Sequence, residues 1–152
     1  MTELRSELLY EVSVDLEMPQ NVGVTPHGNR QIFYVKGGTF EGPKLKGEVL
    51  PGGGDWFMFR PDGAGELDVR ATVRTDDGHL IYTYYRGIID APPEVLQRVA
   101  AGEAVDPSEY YFRTAPFFET ASEKYGWLNR IVAVGVGRVA PNWVGYTVYA
   151  VL

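Results

Sequence analysis

The chain is predicted to be an all-β protein, a single antiparallel β-barrel of about eight strands with one short helix. Three observations carry that prediction. Apolar and polar residues alternate with a period of two along much of the chain, in short runs separated by Gly-, Pro- and Asn-containing breaks. Asp77-Gly78 lies between two β-rich runs, a strong hairpin signal. Only one segment shows helical spacing of its apolar residues, Val95, Leu96, Val99 and Ala100. The 152 residues are read as one domain, long enough to bury a sizeable core.

Taken in order, Leu8 to Leu16 sets Tyr10, Val12, Val14 and Leu16 against Glu11, Ser13 and Asp15, the pattern of a half-buried strand. Met18 to Asn29 reads as a loop, because Pro19, Asn21, Gly23, Pro26 and Gly28 punctuate it. Arg30 to Gly37 is the second strand, with a bulge or kink expected at Gly37-Gly38. Short strands follow at Lys46 to Leu50 and Asp55 to Arg60. The Pro51-Gly52-Gly53-Gly54 break between them calls for at least one positive φ. Glu66 to Thr75 and His79 to Ile89 form the hairpin around Asp77-Gly78. Pro92-Pro93 starts the helix and Gly102 ends it. Glu109 to Thr114, Leu128 to Arg138 and Tyr146 to Leu152 are the remaining strands, while Phe117 to Trp127 reads equally as a loop or a helical turn.

Composition narrows the function classes. The formal net charge is -6 and no run of Lys or Arg stands out, which argues against a nucleic-acid partner. Without cysteine there is no disulfide framework and no thiolate or Cys-zinc chemistry. The start MTELRSELLYEV lacks the apolar core of a signal peptide and no later run approaches a membrane span, so a cytoplasmic protein without membrane contact is expected. A homo-oligomer is compatible with all of this. The ten tyrosines suit strands, and they equally suit the wall of a ligand cavity.

Several stretches stand here in a familiar order: GGTFEGPKLKGEVLPGGGDW, LDVRATVRTDDGHLIY, YFRTAPFFET and YGWLNRIVAVGVGR. The chain resembles the domain-of-unknown-function 3237 family over nearly its whole length, with PGGGDW and WLNR the most specific pieces. The resemblance implies a barrel similar to those of allene oxide cyclase and dirigent-type proteins. Barrels of that kind hold apolar small molecules, and some guide cyclisation or addition without a cofactor. YTYYR, residues 82–86, is more aromatic than the family's corresponding strand, which points to a flatter or more aromatic ligand.

The candidate catalytic residues are Asp55, Asp68 and Arg70. Asp68 and Arg70 are two apart on a strand and point the same way, roughly 7 Å from each other. One reading leaves them on a solvated face. The other puts them inside the barrel, where each charge costs several kcal/mol unless paired. The family motif keeps an acidic and a basic residue here, and on that basis both side chains are expected to point inward. Asp55 follows three glycines; it either hydrogen-bonds turn amides or, beside the Trp56 indole, carries a raised pKa suited to general acid–base work. Trp56, Tyr84, Arg86, Glu119, Tyr125, Trp127 and Asn129 are the candidate ligand-binding residues. Asn129 is the telling one, since a buried amide needs partners.

No metal or cofactor is expected. His27 and His79 lie 52 positions apart in or beside turns, PGGGDW lacks the Lys and Ser/Thr of a phosphate loop, and there is no Gly-x-Ser-x-Gly elbow. The function expected is binding of a small apolar, aromatic or polyketide-like molecule, with cofactor-independent isomerase or cyclase chemistry. A non-catalytic carrier is the alternative, and a solidly packed structural module is the third.

Overall fold

The computed structural model describes residues 2–152. It has ten strands, β1 (Ser6–Leu16), β2 (Gln20–Thr25), β3 (Gly28–Glu41), β4 (Lys46–Val49), β5 (Gly54–Phe59), β6 (Gly65–Thr75), β7 (Leu80–Asp90), β8 (Tyr111–Glu119), β9 (Ala133–Ala140) and β10 (Trp143–Val151). The helix α1 spans Pro93–Ala100 between β7 and β8. All strand pairs are antiparallel, and the barrel closes because β1 pairs with both β10 and β3.

Eight strand positions make the wall. β4 and β5 share one of them: both run between β3 and β6, β4 opposite Gly38–Glu41 and β5 opposite Asn29–Tyr34. The Pro51-Gly52-Gly53 segment is the bulge between the two halves. Gly52 has the positive φ the sequence calls for, +104°, and no neighbour near its missing Cβ. Alanine there is therefore strained by conformation alone, and Gly52→Ala is expected to lower stability by about 1 kcal/mol in urea denaturation.

The apolar phase of the principal wall strands faces inward. Leu67 and Val69 of β6, Ile81 and Ile89 of β7, Phe112 and Phe118 of β8, and Tyr146, Val148 and Ala150 of β10 are all buried. Val95, Tyr110 and Phe112 seal one end beneath α1, and Tyr125 and Leu128 join the core at the other. Gly102, at φ +82°, ends the helix region as predicted.

Three segments differ from the sequence reading. Gln20–Thr25 is a strand, not a loop: after the Pro19 kink the chain resumes alongside β3, with a register shift between Asn21 and Gly23. Isolated turn residues were a poor guide there because β3 supplies the ladder. The strand read as starting at Leu128 starts at Ala133; Gly126–Arg130 is a 3-10 turn that buries Leu128. β8 runs on to Glu119, with Pro116 inside it. The proline is accommodated because the β8–β9 ladder is bridged only at Arg113–Val136 and Thr114–Gly135, leaving Pro116 past its end.

Candidate functional site

The site is the part of the barrel wall where the β5–β6 ladder is interrupted. These strands are bridged at Gly54–Arg70 and Asp55–Val69, and then not again until Met58–Glu66. Two side chains satisfy backbone groups in the gap. Asp55 Oδ1 accepts from the Asp68 backbone N–H at 3.0 Å, and Arg30 Nη1 donates to the Trp56 carbonyl at 2.7 Å. An open ladder would otherwise leave costly unpaired amide groups.

Asp55 shares the inward phase of Phe57 and Phe59, and its paired neighbour Val69 is buried. Burial pushes its carboxyl pKa up to about 7. The hydrogen bond from Asp68 and the Arg30 charge pull the other way, and the Asp68 charge adds to the rise. Behind it stand Tyr85 and Tyr146, with rings 5.4 Å apart in edge-to-face contact. Burial raises both phenol pKa values, and the negative charge of Asp55 contributes to each. They therefore remain neutral hydroxyls at physiological pH.

Tyr85 and Tyr146, with Tyr10, Thr83, Thr114 and Pro116, border an internal cavity of about 30 Å³. That is room for about two waters, far below the roughly 300 Å³ or more of a ligand pocket. Among the described residues no buried side-chain nitrogen or oxygen lacks a hydrogen-bond partner.

Asp68 and Arg70 do not point inward. They sit on the outer face of β6, with side chains 46% and 54% exposed, joined by a 3.5 Å ion pair. Their being in phase was legible; the side they take follows from energy, since Leu67 and Val69 gain from burial and two charges would not. The Arg70 guanidinium lies 5.7 Å from the Trp56 ring, also on the outside. Tyr84 and Arg86 are opposite Arg70 and Asp68 and external, so of the YTYYR stretch only Thr83 and Tyr85 face the interior.

The other candidates lie away from the interrupted ladder. Glu119 is exposed at the end of β8. Tyr125 is buried, and its hydroxyl donates to Asp77 at 2.9 Å, pinning the hairpin turn. Trp127 carries Lys44 at 5.3 Å from its ring. Asn129 is exposed, and its amide ties the chain together by accepting from Thr120 N and donating to the Thr120 and Gly126 carbonyls.

Sequence reasoning missed Arg30, Tyr85 and Tyr146. The tyrosines had a usable signal: Tyr85 is in phase with Ile81 and Ile89, and Tyr146 with Val144 and Val148. Arg30 had none, because its role comes from a carbonyl 26 residues away.

The model described as "Protein of unknown function (DUF3237)" matches residues 4–151. The chain belongs to the DUF3237 family. A UPF0311 protein of Clostridium acetobutylicum is 39% identical over 142 residues, which cover 92% of this chain and 90% of that one. The crystal structure of a conserved protein of unknown function from Rhodopseudomonas palustris aligns with a TM-score of 0.93 at 33% identity, over 100% of both chains. A β-barrel-like protein from Acinetobacter baumannii aligns at 0.87 with 39% identity, over 100% of this chain and 98% of that one. These likenesses establish the family and its barrel. No helix among the described residues is long and apolar enough to cross a membrane.

Proposed function

We propose that this DUF3237 barrel is a cytoplasmic small-molecule-binding protein that performs cofactor-independent acid–base chemistry, an isomerisation or cyclisation, on an apolar aromatic or polyketide-like compound. The observation that carries this reading is Asp55: a carboxyl at the interrupted β5–β6 ladder, with a pKa of about 7 and two neutral phenols behind it. A group half-protonated near neutrality serves as both general acid and general base. Tyr85 and Tyr146, rather than the external Arg70, are the donors placed to stabilise a developing enolate or phenolate oxygen. Trp56 and Arg70, on the outer face beside the interrupted ladder, receive the flat part of the ligand. Because the cavity is small, binding requires the tyrosine side chains to turn and β5 and β6 to part where their ladder is interrupted.

The test is a panel of conjugated phenols and enones incubated with the protein, with products followed by mass spectrometry and chiral chromatography. Conversion is expected for part of the panel, and Asp55→Asn should lower turnover about a hundredfold or more while ligand binding persists. Binding without any altered product across the panel would make the protein a carrier instead.

A further inference from the structure

The internal cavity is bordered partly by aliphatic carbon, from Val12, Val14, Val73 and Val148, and partly by the hydroxyl-bearing residues of β1, β7, β8 and β10. A cavity of this size lined by carbon alone stays dry, so the hydroxyls decide what it holds. Two of them are committed to the wall. Thr83 Oγ1 donates to the Phe117 carbonyl at 3.1 Å. Thr114 Oγ1 lies against β9, in the place a Cβ on Gly135 would need. The phenols of Tyr10, Tyr85 and Tyr146 remain.

The Tyr85 and Tyr146 hydroxyls are hydrogen-bond partners of each other. Whichever of them donates, one O–H is spent on that contact and the other is left to donate elsewhere. Burial alone raises the Tyr10 phenol, with no hydrogen bond to protein acting on it. Every sealed side-chain oxygen among the described residues has a partner, so the Tyr10 oxygen is one that a water-sized molecule reaches. A charge on Tyr10 would act on both of the others, which places the three phenols in one cluster.

We propose that this cavity is an internal hydration site, where Tyr10, Tyr85 and Tyr146 hold about one or two water molecules. The volume of about 30 Å³ exceeds the roughly 10–15 Å³ that one water requires. Two free O–H donors and the phenol oxygens as acceptors supply the two to four bonds, or about that, which a buried water makes. The same geometry names the ligand group that takes this place. On the function proposed above, the ligand oxygen stabilised by Tyr85 and Tyr146 displaces the water, and Tyr10 becomes a third group in reach of it. Two O–H donors suit the two lone pairs of an uncharged carbonyl oxygen, as in a ketone or enone. A carboxylate or phosphate would bring its charge into a core with no buried cation among the described residues.

Oxygen-17 relaxation dispersion of the solvent counts slowly exchanging internal waters, and it is measured on the protein without ligand. The wild-type chain is expected to show about one or two more of them than a Tyr85→Phe/Tyr146→Phe double variant. Tyr10→Phe gives the same comparison, with a smaller loss, if the double variant fails to fold. Tyr125→Phe is the control: its buried hydroxyl is committed to Asp77, so its removal should leave the count unchanged. A wild-type protein without slowly exchanging water would overturn the proposal. So would a count that the cavity variants leave untouched, or one that Tyr125→Phe lowers equally. Because no ligand takes part, a panel of phenols and enones without conversion would fall on the proposed function alone.

Discussion

Asp55→Asn is expected to make the barrel more stable than the native chain at pH 8, and this gain should vanish on acidification. The native Asp55 carboxyl has a pKa of about 7 when folded against an ordinary value of 3.8. Below 3.8 both the folded and the unfolded chain hold the proton, and the group makes no difference to stability. Between the two values the folded state keeps the proton and the unfolded state releases it, so stability falls as pH rises. Above about 7 the full cost of the buried charge remains. The difference of about three pH units corresponds to roughly 4 kcal/mol at most. Asparagine removes the charge and keeps an oxygen to accept from the Asp68 N–H. Urea denaturation of both chains between pH 5.5 and 8.5 should therefore give curves that separate with rising pH, by about 2–4 kcal/mol above pH 7. Parallel curves would show that Asp55 is solvated in the folded protein and would remove the basis for its role as an acid–base group.

Gly38→Ala should cost about 3 kcal/mol or more, among the larger losses a single methyl group can cause. Gly38 pairs with Val14 across the β1–β3 contact that closes the barrel. A Cβ on Gly38 would overlap the Ser13 carbonyl oxygen and come within 3.1 Å of the Val14 Cα. Both are backbone atoms, so no rotamer change relieves the overlap, and the closure itself must shift. Gly126→Ala is the matched control, because nothing lies within 4 Å of its Cβ position and its φ is not positive. Near-equal stability of the two variants would mean that the β1–β3 contact is loose enough to absorb a methyl group.

Much of the fold was legible in the residues because strand formation depends on local alternation. The β6–β7 hairpin, the Pro93–Ala100 helix and the bend at Gly52 each follow from a few neighbouring residues. Family membership was legible too, since motifs such as PGGGDW and WLNR are carried by consecutive residues. β2 escaped because its ladder is provided by β3, and the 3-10 turn at Gly126–Arg130 escaped because its Leu128 is in place only when the barrel end exists to receive it.

The site divides along the same line. By itself, the sequence determined that Asp68 and Arg70 share one face and Leu67 and Val69 the other, because side chains in a strand alternate whatever surrounds them. Which face turns inward is a property of the closed barrel, where one side of the wall meets other apolar side chains and the other meets water. The same closure decides the chemistry of Asp55. Its phase with Phe57 is local, but its raised pKa needs the interrupted β5–β6 ladder and an interior filled with aromatic rings. Those groups arrive from β3, β6, β7 and β10, and only long-range strand pairing brings them within reach of one carboxyl.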